Sequence, residues 1–114
     1  MTAPQIQPVG DGVCVAPQLD ADAMAWAAQA GFRSVINNRP DFEGGPSQPT
    51  SAQIQAAAAA AGLQYVHQPV QPAVQTPQDI ARFAQLLAQL PRPILAFCRT
   101  GTRSGKLYSA ATAP

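Results

Sequence analysis

Four short runs of strand-forming residues recur along the chain with helical segments between them: Gly12–Ala16 (GVCVA), Ser34–Asn37 (SVIN), Leu63–His67 (LQYVH) and Ile94–Phe97 (ILAF). That alternation constrains the fold more than any other feature. Strands separated by helices return to one sheet through crossovers, so they lie parallel and the helices cover the faces. The helical segments carry their own start and stop signals. Asp20 can cap a helix running to Gly31, with Asp22 in its first turn and Ala23, Trp26, Ala27 and Ala30 at helical spacing. Thr50 and Gln53 have capping-box spacing ahead of the alanine tract Ala56–Ala61, and Gly62 takes the C′ position. Thr76, Pro77 and Asp79 open a third helix whose apolar face is Ile80, Phe83, Leu86, Leu87 and Leu90. A last helix starts near Arg103 and ends at about Ala111. The expectation is an α/β fold, a mostly parallel sheet of about four strands with helices on both faces, formed by one domain over 1–114.

Composition narrows function by exclusion. Charged residues are 11% and hydrophobic residues 46% of the chain, too apolar a balance for a disordered charged tail. Six arginines and Lys106 stand against six acids, and the formal charge of +1 offers no general field for nucleic acid. No apolar run approaches the roughly 18 residues a membrane span needs. The start, MTAPQIQPVGDGV, lacks the basic and apolar parts of a secretory signal. Cys14 and Cys98 are too few for a disulfide framework. His67 has no second histidine with which to share a metal. These features point to a soluble cytoplasmic protein with no nucleic-acid or membrane partner, no metal and no cofactor.

Parallel sheets gather their sites at the carboxyl ends of strands. Two such ends carry unusual chemistry here: Asn37–Glu43 and Cys98–Ser104. Ile94–Phe97 passes directly into Cys98-Arg99-Thr100-Gly101-Thr102-Arg103-Ser104. A cysteine at that point faces the positive end of the next helix and adjoins a guanidinium, and both favour thiolate over thiol. Gly101 lets the loop curl without a Cβ clash. The backbone N–H groups of a curled loop converge as an anion-binding nest, formed here by Arg99, Thr100, Gly101 and Thr102. Arg103 can clamp the anion with two parallel hydrogen bonds. Ser104 can hydrogen-bond the sulfur and help it leave. The spacing therefore describes a low-pKa nucleophile, Cys98, facing an oxyanion. The bland alternative is a buried core cysteine before a basic helix start, and the strand-to-helix placement argues against it.

The loop resembles those of two classes of cysteine enzyme. Rhodaneses carry short loops that begin Cys-Arg-x-Gly, whereas protein tyrosine and dual-specificity phosphatases place one more residue between cysteine and arginine. Four residues separate Cys98 from Arg103, so by spacing the loop is rhodanese-like. Over a longer span, from about Val13 to Ser109, the chain is similar to the bacterial beta-lactamase-hydrolase-like domain family. The similarity lies in SVINNRPDFEGGPSQPTSAQIQAAAAAAGLQYVHQPV and in PILAFCRTGTRS. It implies a protein-tyrosine-phosphatase-like fold with a rhodanese-like loop, and an activity described for members as sulfur transfer or as phosphatase. Members are sometimes fused to a persulfide-dioxygenase domain, which implies a partner of that type. The resemblance also places Arg39 and Asp41, in the Arg-Pro-Asp that follows Ser34–Asn37, at the rim of the same site. There they would bind substrate or order the catalytic loop. The structural alternative is an Arg39–Asp41 pair that pins a long loop. Asn38 stands where members often have leucine.

Sulfur transfer is the first reading of this combination. A shorter loop closes a smaller cradle, and phosphoryl transfer needs room for three equatorial oxygens plus in-line entering and leaving groups. Phosphatases of the resembled type also use an aspartic acid on a separate loop to protonate the leaving oxygen. The segment expected to supply it, Pro69–Gln75, contains no acid, which leaves Asp41 and Glu43 as substitutes. Cys98 would then take sulfane sulfur from a small-molecule donor as a persulfide. Two alternatives stand beside this: a cysteine-dependent phosphatase that acts on a phosphate ester through a cysteinyl-phosphate, and a non-catalytic oxyanion-binding module. His67 could serve as a catalytic base, but a lone histidine with no acidic neighbour reads first as a hydrogen-bonded core residue, and it could also order the Arg39 loop; Cys14 reads as a buried free cysteine. A short last helix would leave one sheet face thinly covered, which a homodimer would meet.

Overall fold

The structure, a computed structural model, describes residues 4–114. In chain order the elements are β1 (Gln7–Gly10), β2 (Val13–Ala16), α1 (Ala21–Gln29), β3 (Ser34–Asn37), α2 (Ser51–Ala60), β4 (Gln64–His67), α3 (Pro77–Gln89), β5 (Ile94–Phe97) and α4 (Thr102–Ala111). The sheet order is β1-β2-β5-β3-β4. All neighbours are parallel except β1, which runs antiparallel to β2. The expected α/β architecture is present with five strands, one more than the sequence suggested.

The extra strand is β1, and its signals are weak for a physical reason. It is an exposed edge strand containing Pro8, which an edge tolerates because its N–H is not needed by a neighbour. Asp11 and Gly12 both have positive φ, 43° and 73°, and form the two-residue hairpin loop between Gly10 and Val13. Gly12 therefore belongs to a turn and not to the strand. Leu63 is likewise outside β4: its N–H closes the end of α2 on the Ala58 carbonyl.

Side chains alternate between two cores, as a strand period of two dictates. Val35, Leu95 and Phe97 face α1 and α2. Ile36, Ile94 and Ala96 face α3 and α4. Asp20, Thr50 and Thr76 cap the first three helices as read, the last two as full capping boxes. The buried face of α1 is Ala23, Met24 and Ala27, so Trp26 is half-buried and Ala30 is exposed, against the expected stripe. Along α2 the buried positions are Ser51, Ile54 and Ala58, one turn apart. Cys14 is half-buried, not buried, and burial pushes its thiol pKa up. A groove of about 1020 Å³ runs between α4 and the strand β1 with its leading residues.

The register positions the site. Ala16 pairs with Phe97, Phe97 with Asn37, and Asn37 with His67. The four parallel strands thus end in one row, and Pro17, Cys98, Asn38 and Gln68 leave the sheet side by side. No helix among the described residues is long and apolar enough to cross a membrane.

Candidate functional site

Cys98 follows β5, the central strand, and is 1% exposed. Its N–H donates to the Ala16 carbonyl at 3.3 Å, which ties the loop to the neighbouring strand end. The chain then curls. Gly101 has φ of 92°, a left-handed conformation that L side chains adopt only with strain, and its N–H donates to Cys98 Sγ at 3.1 Å. Gly101 is also the N-cap of α4 and supplies no side-chain cap, unlike the residues that begin the other three helices. The positive end of α4 is thereby turned toward the sulfur. Arg99, Thr100 and Thr102 are exposed on the rim, and the Thr100 hydroxyl donates to Thr102 Oγ1 at 3.2 Å.

Arg103 lies beneath this loop and is 7% exposed. Its Nη1 donates to the Val70 carbonyl at 3.0 Å and the Asn38 carbonyl at 3.3 Å. Its Nη2 donates to Glu43 Oε1 at 2.9 Å. Its Nε is buried with no partner. Buried donors are nearly always satisfied, so an empty Nε–H points to a ligand. The two-pronged clamp expected of Arg103 is thus half taken: Nε and Nη2 share the edge of the guanidinium that binds an anion side-on, and Glu43 holds one of them.

Glu43 replaces Asp41 in the arrangement. Its Oε1 also accepts from Arg39 Nε at 3.0 Å, so one carboxylate oxygen bridges two guanidiniums. Burial pushes the Glu43 carboxyl up, but the hydrogen bonds and charges of Arg103 and Arg39 outweigh it and hold it below the usual carboxylate range. Asp41 points elsewhere: its Oδ1 accepts from the Ser51 N–H at 2.8 Å at the start of α2. The Arg39–Asp41 pair, the structural alternative for this loop, does not form. Arg39 lines the same cavity as Cys98 and is tied further by Nη1 to Gln18 Oε1 at 3.1 Å. His67 Nε2 lies 2.8 Å from the Arg39 carbonyl and orders that loop, as read.

Ser104 does not reach the sulfur. Its Oγ, fully buried, donates to Asn38 Oδ1 at 2.8 Å. Asn38 Nδ2 in turn donates to the Gln68 carbonyl at 3.1 Å, and the Asn38 N–H to the Phe97 carbonyl at 2.8 Å. Asn38 therefore joins the ends of β3, β4 and β5 to the first turn of α4. Sequence reasoning left this residue unexplained. Its signal was the pair Asn37-Asn38 at the end of a buried strand, since buried amides are kept only with partners. Lys106 was also missed. It lies one turn after Thr102 on α4 and lines the same cavity of about 690 Å³, with Cys98, Arg39, Arg99 and Arg103. Four of the chain's seven basic residues thus converge there with one carboxylate, Glu43. Among the described residues no group of three His, Cys, Asp or Glu side chains is placed to hold a metal ion.

The profile of the family described as Beta-lactamase hydrolase-like protein, phosphatase-like domain, matches residues 5–114. A Beta-lactamase hydrolase-like protein of Agrobacterium fabrum (strain C58) is 44% identical over 88 residues, which are 77% of this chain and 20% of that protein. The chain thus spans about a fifth of that relative. Among solved structures, a candidate phosphatase from Neisseria meningitidis Z2491 is 38% identical with a TM-score of 0.83, covering 90% of this chain and 72% of that one. Tk-PTP in its active form aligns with a TM-score of 0.68 at 14% identity, over 96% of this chain and 82% of that one, and shows the fold alone.

Proposed function

The chain belongs to the family of phosphatase-like domains of Beta-lactamase hydrolase-like proteins, and from that membership we propose that it is a cysteine-dependent phosphatase with Cys98 as the nucleophile. The observation that carries the reading is the buried, unpartnered Nε of Arg103 in a cavity lined by Cys98 and three further cations. In the first step Cys98 Sγ attacks phosphorus, the S–P bond forms and the P–O bond to the leaving group breaks. Water then attacks the cysteinyl-phosphate and frees phosphate and the thiol. Gly101 N–H and Arg103 hold charge that develops on sulfur and on the equatorial oxygens. Arg99, Thr100 and Thr102 form the rim against which the substrate lies. Glu43 links Arg39 to Arg103 before substrate binds, and Ser104 braces the loop through Asn38.

One observation favours a second reading, sulfur transfer. Among the described residues the one carboxylate lining the cavity is Glu43, and two guanidiniums keep it ionised. It is a poor proton donor, so the leaving group departs as an anion. Thiosulfate meets that condition: Cys98 Sγ attacks the sulfane sulfur, an S–S bond forms, and sulfite leaves with the electron pair of the broken bond. The family and the solved relatives carry phosphatase names, which reverses the order reached from the loop length and the acid-free Pro69–Gln75 segment.

Both readings are tested together by 4-nitrophenyl phosphate hydrolysis and thiosulfate-to-cyanide transfer, each with Cys98→Ser alongside. Phosphate release above sulfur transfer, lost in the variant, is the expected result. Faster thiocyanate formation with a one-sulfur adduct on Cys98 would install the second reading. Neither activity in the wild type would leave an oxyanion-binding module.

A further inference from the structure

Glu43 is chemically out of place in a cavity built for an anion. Its Oε1 sits 2.9 Å from Arg103 Nη2 and 3.0 Å from Arg39 Nε, where one oxygen of an oxyanion would bridge the two guanidiniums. The adjacent donor on the same edge of Arg103, Nε, stays empty. The segment that delivers Glu43 is held by other means. Gln48 Oε1 accepts from the Gly44 N–H at 2.7 Å and Gln48 Nε2 donates to the Pro40 carbonyl at 2.9 Å. Gly44 also lies so close to Arg39 that a Cβ there would stand 2.6 Å from Nη2. Phe42, just before Glu43, has φ of 63° and is 64% exposed. A bulky residue in that conformation is strained.

We propose that Glu43 is an internal competitor for the oxyanion site, released from Arg103 and Arg39 when a doubly charged tetrahedral group binds. The inference rests on the oxyanion-site reading above and names the substrate class that site selects. A dianion offers Arg103 two oxygens, one for Nε and one for Nη2, and more charge than the carboxylate it displaces. A singly charged carboxylate or an uncharged group gains only the free Nε and leaves Glu43 in place. Glu43 is thus a specificity-determining residue that excludes weak anions from a cavity with four cations.

The test is a binding titration that needs no turnover. Sodium sulfate and sodium acetate are added to the wild type, Glu43→Gln and Glu43→Ala. The Gly101 N–H and Arg103 Nε–H signals are followed by heteronuclear NMR. Sulfate is expected to bind tighter by about tenfold or more in Glu43→Gln, the weight of one charge-assisted hydrogen bond no longer contested, and tighter still in Glu43→Ala. Acetate is expected to shift Arg103 Nε–H at lower concentration in both variants than in the wild type, where Glu43 keeps Nη2. Equal or weaker sulfate binding in both variants would make Glu43 a brace for the arginines and end the inference while leaving the oxyanion site intact. Sulfate shifts absent from all three proteins would remove the oxyanion site and this inference with it. Circular dichroism melts of the variants, held in shape by Gln48, confirm folding before each titration.

Discussion

Asn38→Ala is the sharpest probe of how the site is held. The side chain is fully buried and makes two hydrogen bonds, one from Ser104 Oγ and one to the Gln68 carbonyl. Removing it leaves both of those partners unsatisfied in the interior. Each buried group left without a partner costs about 1–3 kcal/mol, so the loss of stability from the two is expected to be about 2–6 kcal/mol. For a chain of this size the unfolding entropy makes that about 8–24 °C in melting temperature. The backbone carbonyl of Asn38 still accepts from Arg103 Nη1, so Arg103 keeps part of its bracing. Ser104→Ala alone removes one of the same bonds and is expected to cost about 1–2 kcal/mol. The two residues touch, so the double variant should lose less than the sum of the singles by about 1 kcal/mol. Calorimetric melts of the four proteins complete the cycle. An Asn38→Ala melt within about 2 °C of the wild type, or strict additivity, would refute the assignment of Asn38 as the residue joining three strand ends to α4.

Gly101→Ala tests the loop backbone: at φ of 92° a Cβ costs about 1–2 kcal/mol, and the Gly101 N–H is expected to move off Cys98 Sγ. Slower alkylation of Cys98 by iodoacetamide together with a lower melting temperature is the expected pair of outcomes, and an unchanged alkylation rate would separate Gly101 from the nucleophile. Glu43 predicts a pH dependence. Its carboxyl is held below the usual range in the folded protein, so its contribution is present in full above the unfolded value and is lost as pH falls through the native one. Urea midpoints of the wild type should therefore fall faster than those of Glu43→Gln below about pH 5, with a modest difference because the side chain is a fifth exposed, and parallel curves would contradict it.

The fold was legible because its determinants are local. Thr50 with Gln53, Thr76 with Asp79, and the runs SVIN and ILAF each state their structure within a few residues. The strand β1 escaped because an edge strand with Pro8 buries little and shows no alternation, although Asp11-Gly12 is a hairpin signal. Cys98, Gly101 and Arg103 were legible for the same reason as the helices: one continuous segment carries them. What sequence could not give was which distant side chain completes each of these. Arg103 takes Glu43, 60 residues away, and Ser104 takes Asn38, 66 residues away. The Arg-Pro-Asp pattern of the resembled family drew attention to Asp41, whereas the acid that meets Arg39 is Glu43. Pro40 and the turn after it carry Asp41 toward α2 and bring Glu43 back beneath Arg39.

That exchange of acids bears on the chemistry more than the loop length does. A residue able to protonate an alkoxide must hold its proton near neutral pH, which requires burial away from cations or the company of another acid. Glu43 has the opposite surroundings, two guanidiniums on one oxygen. Releasing it from them, as a bound dianion would, returns the carboxylate to solvent, where it is still ionised. Neither position makes it a general acid. On the proposed readings, the substrates to test first are those whose leaving groups are stable anions: aryl or acyl phosphates on one side, thiosulfate on the other. A phosphatase confined to such esters and a sulfurtransferase share the same nucleophile, the same Gly101 N–H and the same free edge of Arg103. They differ in the atom attacked, and the cavity's proton supply, not its fold, limits both to the same kind of departure.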